Sequence, residues 1–77
     1  MKIEIISPEK IIYSGEADSV TLPGVMGSFS ILNLHAPIIS ILKKGALTYR
    51  VRDNEKTMEI NSGFVETKKN IVTVCVE

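Results

Sequence analysis

Residues 22–37 read LPGVMGSFSILNLHAP, and the interpretation of the whole chain starts from this stretch. It begins at the end of an alternating strand, and Pro23 followed by Gly24 predicts a type II turn because glycine accepts a positive φ. Gly27 is a second turn residue, after which Phe29 and Ile31 resume the alternation on the face predicted to point inward. We therefore expect two short strands joined by a tight turn.

The segments on either side repeat this pattern of short alternating runs separated by turn residues. Eleven Ile and seven Val stand against three Ala, which favours pleated sheet over helix because β-branched side chains pack well on a pleated surface. Residues 38–42 are apolar on both faces and are predicted to be central or covered. The fold class predicted is all-β, a small antiparallel sandwich or flattened barrel of about eight to ten short strands in one domain over residues 1–77.

Composition argues against several classes of function. The formal net charge is zero, with nine basic and nine acidic residues, so the clustered cations of a nucleic-acid-binding protein are missing. The single cysteine, Cys75, cannot form an internal disulfide and is predicted to be a small, buried, unreactive residue. No apolar run reaches the length of a membrane-spanning helix, and the first residues lack a signal peptide's apolar core, so we expect a soluble, cytoplasmic protein.

The residue pattern predicts no catalytic, cofactor or metal site. His35 is the only histidine, and no acid or nucleophile stands at a spacing that identifies a catalytic group. One histidine, one cysteine and scattered carboxylates give no metal-ligand spacing, and the glycines precede no helix that would hold a phosphate. Val25 and Met26 are predicted to lie exposed on a loop, which favours an interaction module that binds another protein.

Seven short segments together resemble the epsilon subunit of the F-type ATP synthase. They follow one another in the family's order, and the resemblance extends over essentially all 77 residues. The segments are residues 14–17 (SGEA), 22–24 (LPG), 27–32 (GSFSIL), 35–39 (HAPII), 44–47 (KGAL), 63–66 (GFVE) and 72–74 (VTV).

The resemblance implies a fold, a role and two binding surfaces. The fold would be the family's amino-terminal sandwich of two antiparallel sheets. The role would be that of a non-catalytic rotor subunit that links the gamma subunit to the membrane c-ring and couples proton flow to ATP synthesis. Such a subunit is peripheral, on the cytoplasmic face of the bacterial plasma membrane. The residues that match gamma-facing positions are Ser7, His35, Ala36, Pro37 and Ser40, and those that match the loop facing the c-ring are Met26, Gly27 and Ser28.

The sequence also departs from the family pattern. Ser28 stands where relatives often carry an acid, and Ser30 stands at a glycine position. Asn33 and Leu34 replace the usual Pro-Gly before the histidine, so a different turn shape is expected. The two helices with which most family members continue are not found within the 77 residues, so the resemblance implies coupling without inhibition by helix insertion.

Two other classes of all-β domain remain as alternatives. A biotinyl or lipoyl carrier domain needs a lysine at the tip of an exposed hairpin, and Lys56 in residues 53–56 is a poor match. An oligonucleotide-binding barrel is disfavoured by the neutral charge and the four aromatic residues.

Overall fold

The computed structural model of the chain describes residues 1–33 and 36–77, and these residues form β-strands joined by turns. Nine strands occur in this described part, which confirms the predicted all-β class. They are β1 (Lys2–Ile6), β2 (Ile11–Glu16), β3 (Ser19–Gly24), β4 (Gly27–Leu32), β5 (Ile38–Leu42), β6 (Gly45–Val51), β7 (Asn54–Ile60), β8 (Gly63–Lys68) and β9 (Ile71–Val76).

The strands form one sheet that curls into two layers. Hydrogen bonding follows the order β2-β1-β9-β8-β5-β3-β6-β7, with β4 paired to β3. β5 meets β3 only at the pair Leu42 and Gly24, so the sheet divides there into a five-stranded layer and a four-stranded layer. All pairs are antiparallel except β1 with β9, which run parallel.

The core lies between the two layers, because each strand directs alternate residues inward. In the five-stranded layer the alternation buries Ile3 and Ile5 on β1, as predicted from their spacing. In the four-stranded layer Val20, Leu22 and Ile31 are also fully buried, as predicted. The other core residues are Met1, Ala17, Leu42, Leu47, Ile60, Val65, Val72, Val74 and Val76.

The turn predicted at Pro23 and Gly24 is wrong, because β3 continues through both residues. Gly24 pairs with Gly27 on β4 and with Leu42 on β5, and these tertiary pairings override the local turn preference. Pro23 lies where β3 changes its partner from β6 to β5, a position that suits a residue with no N–H to donate. The chain instead turns at the next two residues, Val25 and Met26.

The prediction that residues 38–42 are central or covered is confirmed, because β5 is a central strand. β5 lies between β8 and β3, yet Ile39 and Ile41 point outward and are 75% and 62% exposed. Cys75 was predicted to be buried and is only partly so. It alternates with the inward-facing Val74 and Val76 and therefore points outward.

Candidate protein-binding surfaces

The β3–β4 hairpin ends in an exposed aliphatic tip, made of Val25 and Met26. The Met26 side chain is 97% exposed. The Val25 N–H donates to the Ile41 carbonyl oxygen at 3.0 Å, and the Lys43 N–H donates to the Pro23 carbonyl oxygen at 2.8 Å. These two backbone hydrogen bonds hold the tip against the end of β5, so it is presented on a fixed base.

The residues that match the c-ring-facing loop lie together at this tip. Gly27 has φ +127°, a conformation that L side chains rarely adopt, and it returns the chain into β4. Met26, Gly27 and Ser28 are all exposed. Gly24 allows the close approach of β3 and β4 at the tip, since a Cβ there would lie 2.7 Å from the Gly27 carbonyl oxygen.

The residues that match gamma-facing positions are not brought into one patch. Ser7 follows the carboxyl end of β1, whereas Ala36 and Pro37 precede the amino end of β5 and are exposed. Since β1 and β5 run in the same direction, Ser7 and Pro37 lie at opposite ends of the five-stranded layer, about 17 Å apart along the strands. His35 lies outside the described residues.

Ser7 and Ser40 have local structural roles. The Ser7 Oγ accepts hydrogen bonds from the Glu9 and Lys10 N–H groups at 3.4 and 3.3 Å, which stabilises the turn between β1 and β2. Ser40 pairs with Val65, whose side chain is buried, so Ser40 lies on the inward face of β5. Neither hydroxyl projects from the centre of the outward face.

The outward face of the five-stranded layer carries a line of apolar side chains that crosses all its strands. Register places one residue of each strand beside the next, from β5 through β8, β9 and β1 to β2, and Ile6 pairs with Ile11 just after a shift in the β1–β2 register. We call these five residues the apolar row: Ile41, Phe64, Cys75, Ile6 and Ile11. Three members, Ile41, Phe64 and Ile11, are 62%, 47% and 65% exposed, so this layer leaves contiguous apolar surface in contact with water.

The next line of side chains on this face carries two acidic residues. It lies two residues along β5, β8, β9 and β1, and three along β2, where the register shifts. It contains Glu66 on β8 and Glu4 on β1, together with Ile39, Thr73 and Ser14. Neither carboxylate forms an ion pair within residues 1–33 and 36–77. We call this line the acidic row. Lysines on this face, Lys2 and Lys68, lie one line farther from the apolar row.

On its other side the apolar row borders a groove of about 460 Å³. Ser7, Pro8, Ser62 and Glu77 line it together with members of the row. Of the described residues that match gamma-facing positions, Ser7 is the one that lines this groove beside the apolar row.

The outward face of the four-stranded layer is different in character. Register aligns four hydroxyl side chains across its strands, Ser30, Thr21, Thr48 and Thr57. Thr21 and Ser30 hydrogen-bond at 2.8 Å, and Thr48 and Thr57 at 3.0 Å. These four hydroxyl groups pair with one another, so the centre of this face is polar, whereas the apolar row belongs to the five-stranded layer.

In the described part of the chain, no three His, Cys, Asp or Glu side chains lie close enough together to hold a metal ion. Burial raises the pKa of the Tyr49 hydroxyl, and repulsion from the stacked Tyr13 raises it further. None of the described segments is a helix of the length and hydrophobicity required to span a bilayer.

Comparison with known proteins identifies the family. The family model for the ATP synthase delta/epsilon chain β-sandwich domain matches residues 1–77. The chain belongs to this family. The ATP synthase epsilon chain of Leptospira interrogans is 42% identical over 77 residues, and that of a Nitratiruptor strain is 40% identical over 78. The match covers all of this chain but only 61% and 60% of those relatives, so the chain spans about three-fifths of their length.

Solved structures agree with the family's fold. The central stalk and c-ring structure of the Tetrahymena thermophila mitochondrial ATP synthase contains a chain that matches with a TM-score of 0.85 at 20% identity, covering 99% of this chain and 62% of that one. A chain of the Euglena gracilis mitochondrial ATP synthase matches with a TM-score of 0.90 at 17% identity, covering 96% and 48%. At these identities the likeness is one of fold.

The sequence pattern predicted the exposed tip but did not predict the apolar row. Two turn glycines around two aliphatic residues predicted the exposed tip, and Met26 confirms it. The carrier-domain alternative is not favoured, because Lys56 lies within β7 opposite Tyr49 while the hairpin turns at Arg52 and Asp53.

Proposed function

We propose that this chain is a non-catalytic rotor subunit of a proton-translocating F-type ATP synthase, in which it links the gamma subunit to the c-ring. The observation that carries the proposal is the family match over all 77 residues, together with relatives at 40–42% identity that are ATP synthase epsilon chains. A subunit in this position turns with the stalk and transmits torque between the ring and the catalytic head. We place it peripherally on the cytoplasmic face of the bacterial plasma membrane, held there by its partners.

The hairpin tip is proposed to face the c-ring. Met26, Gly27 and Ser28 are exposed together, and backbone hydrogen bonds from Val25 and Lys43 fix the tip to the rest of the domain. A contact that transmits torque must not bend away under load, so a tip fixed at its base supports this assignment. Because Ser28 stands where relatives often carry an acid, this contact depends on the aliphatic tip more than on charge.

The gamma-facing residues remain proposed as Ser7, His35, Ala36, Pro37 and Ser40. The exposure of Ala36 and Pro37 supports a contact at the amino end of β5. Ser7 supports a second contact at the opposite end of the layer, next to the groove. Ser40 lies on the inward face of β5, so a substitution there would alter the binding of gamma indirectly, through the packing of β5.

The experiment is a binding assay with purified gamma subunit and, separately, with detergent-solubilised c-ring. We expect the unmodified chain to bind both. Met26→Glu is expected to weaken binding to the c-ring by about tenfold and to leave gamma binding unchanged, because it alters only the tip. Pro37→Glu is expected to do the opposite, and Thr57→Glu on the hydroxyl face is the control for a surface charge. Failure of the unmodified chain to bind either partner would overturn the proposed function.

A further inference from the structure

We propose that the apolar row binds an amphipathic helix of a partner protein, which lies across the five strands with basic side chains along the flank that faces the acidic row. The inference rests on the proposed function only for the identity of the partner, the gamma subunit. The surface and the chemistry of its occupant come from the geometry of the five-stranded layer.

The shape of the apolar row suits a helix and not an added strand. Its members lie on five adjacent strands about 4.8 Å apart, so it extends about 19 Å at right angles to the strands. At 1.5 Å per residue, a helix of about 13 residues covers this length. A strand could not join the layer there, because the row crosses β8, β9 and β1, each already hydrogen-bonded on both sides. The occupant must therefore bind through side chains.

The apolar row is wide enough for the apolar face of one helix. The acidic row lies two residues away along β8, β9 and β1, about 7 Å, and the line containing Ile71 lies about 14 Å away. A helix with its side chains is about 10 Å across, so it contacts the apolar row and reaches the acidic row but does not reach Ile71.

Charge identifies which helix fits. In the lines on either side of the apolar row the charged residues are Glu4 and Glu66 on one side, and Lys43 and Glu77 on the other. Lys10 adjoins Ile11 at the end of the row. Glu4 and Glu66 have no ion-pair partner among the described residues. A second copy of this chain would bring the same acidic border, whereas a helix with lysine or arginine along one flank would pair with it. Charge complementarity therefore favours a basic partner over self-association.

Cys75 provides a reporter at the centre of the apolar row, between Phe64 and Ile6. We expect purified gamma subunit to slow the reaction of Cys75 with N-ethylmaleimide by at least about tenfold, since a helix on the row covers the thiol. Two outcomes separate the inference from the proposed function. If gamma binds and Cys75 reacts at its free rate, the row is not the docking surface and the proposed function stands. If gamma does not bind, the proposed function fails as well.

Matched variants test the extent of the contact. Ile41→Asp is expected to weaken gamma binding by at least about tenfold, whereas Ile71→Asp, on the same face but 42% exposed and two lines away, is expected to change it by less than about twofold. Glu66→Lys is expected to weaken binding by about fivefold and to reduce its salt dependence, with Glu59→Lys on the other layer as control. Circular dichroism of each variant is the control for correct folding. Equal effects of Ile41→Asp and Ile71→Asp would overturn the proposal.

Photo-crosslinking tests whether the occupant is a helix. A benzophenone maleimide is attached at Cys75 and, in Cys75→Ser chains, at cysteines introduced by Ile11→Cys and Ile41→Cys. Each of the latter sites lies two strands from Cys75, in opposite directions, so adducts on gamma are expected to shift by about six residues either way along one segment. Adducts in unconnected segments of gamma, or shifts of about three residues as in an extended chain, would overturn the helical assignment.

Discussion

The turn between β6 and β7 holds one residue in an unfavourable backbone conformation, and a single substitution should remove the resulting loss of stability. Arg52 has φ +58°, which disfavours any residue with a Cβ by roughly 1–2 kcal/mol. Glycine relieves this cost but adds about 0.5–1 kcal/mol of freedom to the unfolded chain. Arg52→Gly is therefore expected to raise the free energy of unfolding by about 0.5–1 kcal/mol.

The same turn is held by Asp18, whose carboxylate Oδ2 accepts the Arg52 N–H at 2.7 Å. The Asp18 N–H in turn donates to the Arg50 carbonyl oxygen at 2.8 Å. A hydrogen bond to a charged acceptor contributes about 1.5–3 kcal/mol when shielded, and this one is exposed, so Asp18→Ala is expected to cost about 1 kcal/mol. The N–H remains in Arg52→Gly, so that variant keeps this hydrogen bond and changes only the cost of the backbone conformation.

The assay is urea unfolding followed by far-ultraviolet circular dichroism. With a slope of about 1 kcal/mol per molar urea for a domain of this size, Arg52→Gly should raise the midpoint by about 0.5–1 M at unchanged slope. Asp53→Gly is the matched control, since Asp53 is not among the residues with positive φ, and it should lower the midpoint. A lower midpoint for Arg52→Gly, or equal effects of the two glycines, would refute the attribution of the cost to backbone conformation.

Three further predictions follow from packing and titration. Gly24→Ala is expected to lower the free energy of unfolding by about 1–3 kcal/mol in the same assay, because the new Cβ would lie 2.7 Å from the Gly27 carbonyl oxygen; no loss would mean that the tip can shift. The pKa of Tyr49 is raised on folding, so the stability that Tyr49 contributes is present below its ordinary pKa of about 10 and is lost as pH rises through the higher folded value. Tyr49→Phe should flatten this decline in stability with pH. An unchanged pH profile would contradict the assignment of the decline to Tyr49. Cys75→Ser should cost less than about 0.5 kcal/mol, whereas Val74→Ala should cost about 2 kcal/mol, so similar losses would contradict their opposite orientations.

The strands were predictable because alternation is a local property. The inward positions Ile3, Ile5 and Val20 follow from residues that adjoin them in sequence, and the core has them where the pattern requires. The turn at Pro23 and Gly24 was predicted wrongly because its outcome depends on β5, about twenty residues later in the chain. A local turn preference gave way there to pairings that no short window contains.

The two candidate surfaces also differ in whether they depend on local sequence or on strand pairing. The tip is a local feature, and the residues between two glycines were enough to predict its exposure. The apolar row joins residues from five strands and exists only through their register, so a reading of each strand by itself could not find it. The same register separates Ser7 from Pro37, which the family resemblance had grouped together.

The apolar row also accounts for the apolar residues on the outward face of residues 38–42. A strand that is apolar on both faces was predicted to be central or covered, and β5 is central but covered on the inner face alone. Among residues 1–33 and 36–77, fourteen buried hydrophobic residues supply the core without Ile39 and Ile41, so these two side chains add nothing to the packing of the isolated domain. Exposed isoleucines on a sheet face favour association, and a polar residue at either position would leave the inner face of β5 unchanged. The outward apolar residues of β5 are therefore better explained by what binds the domain than by what folds it.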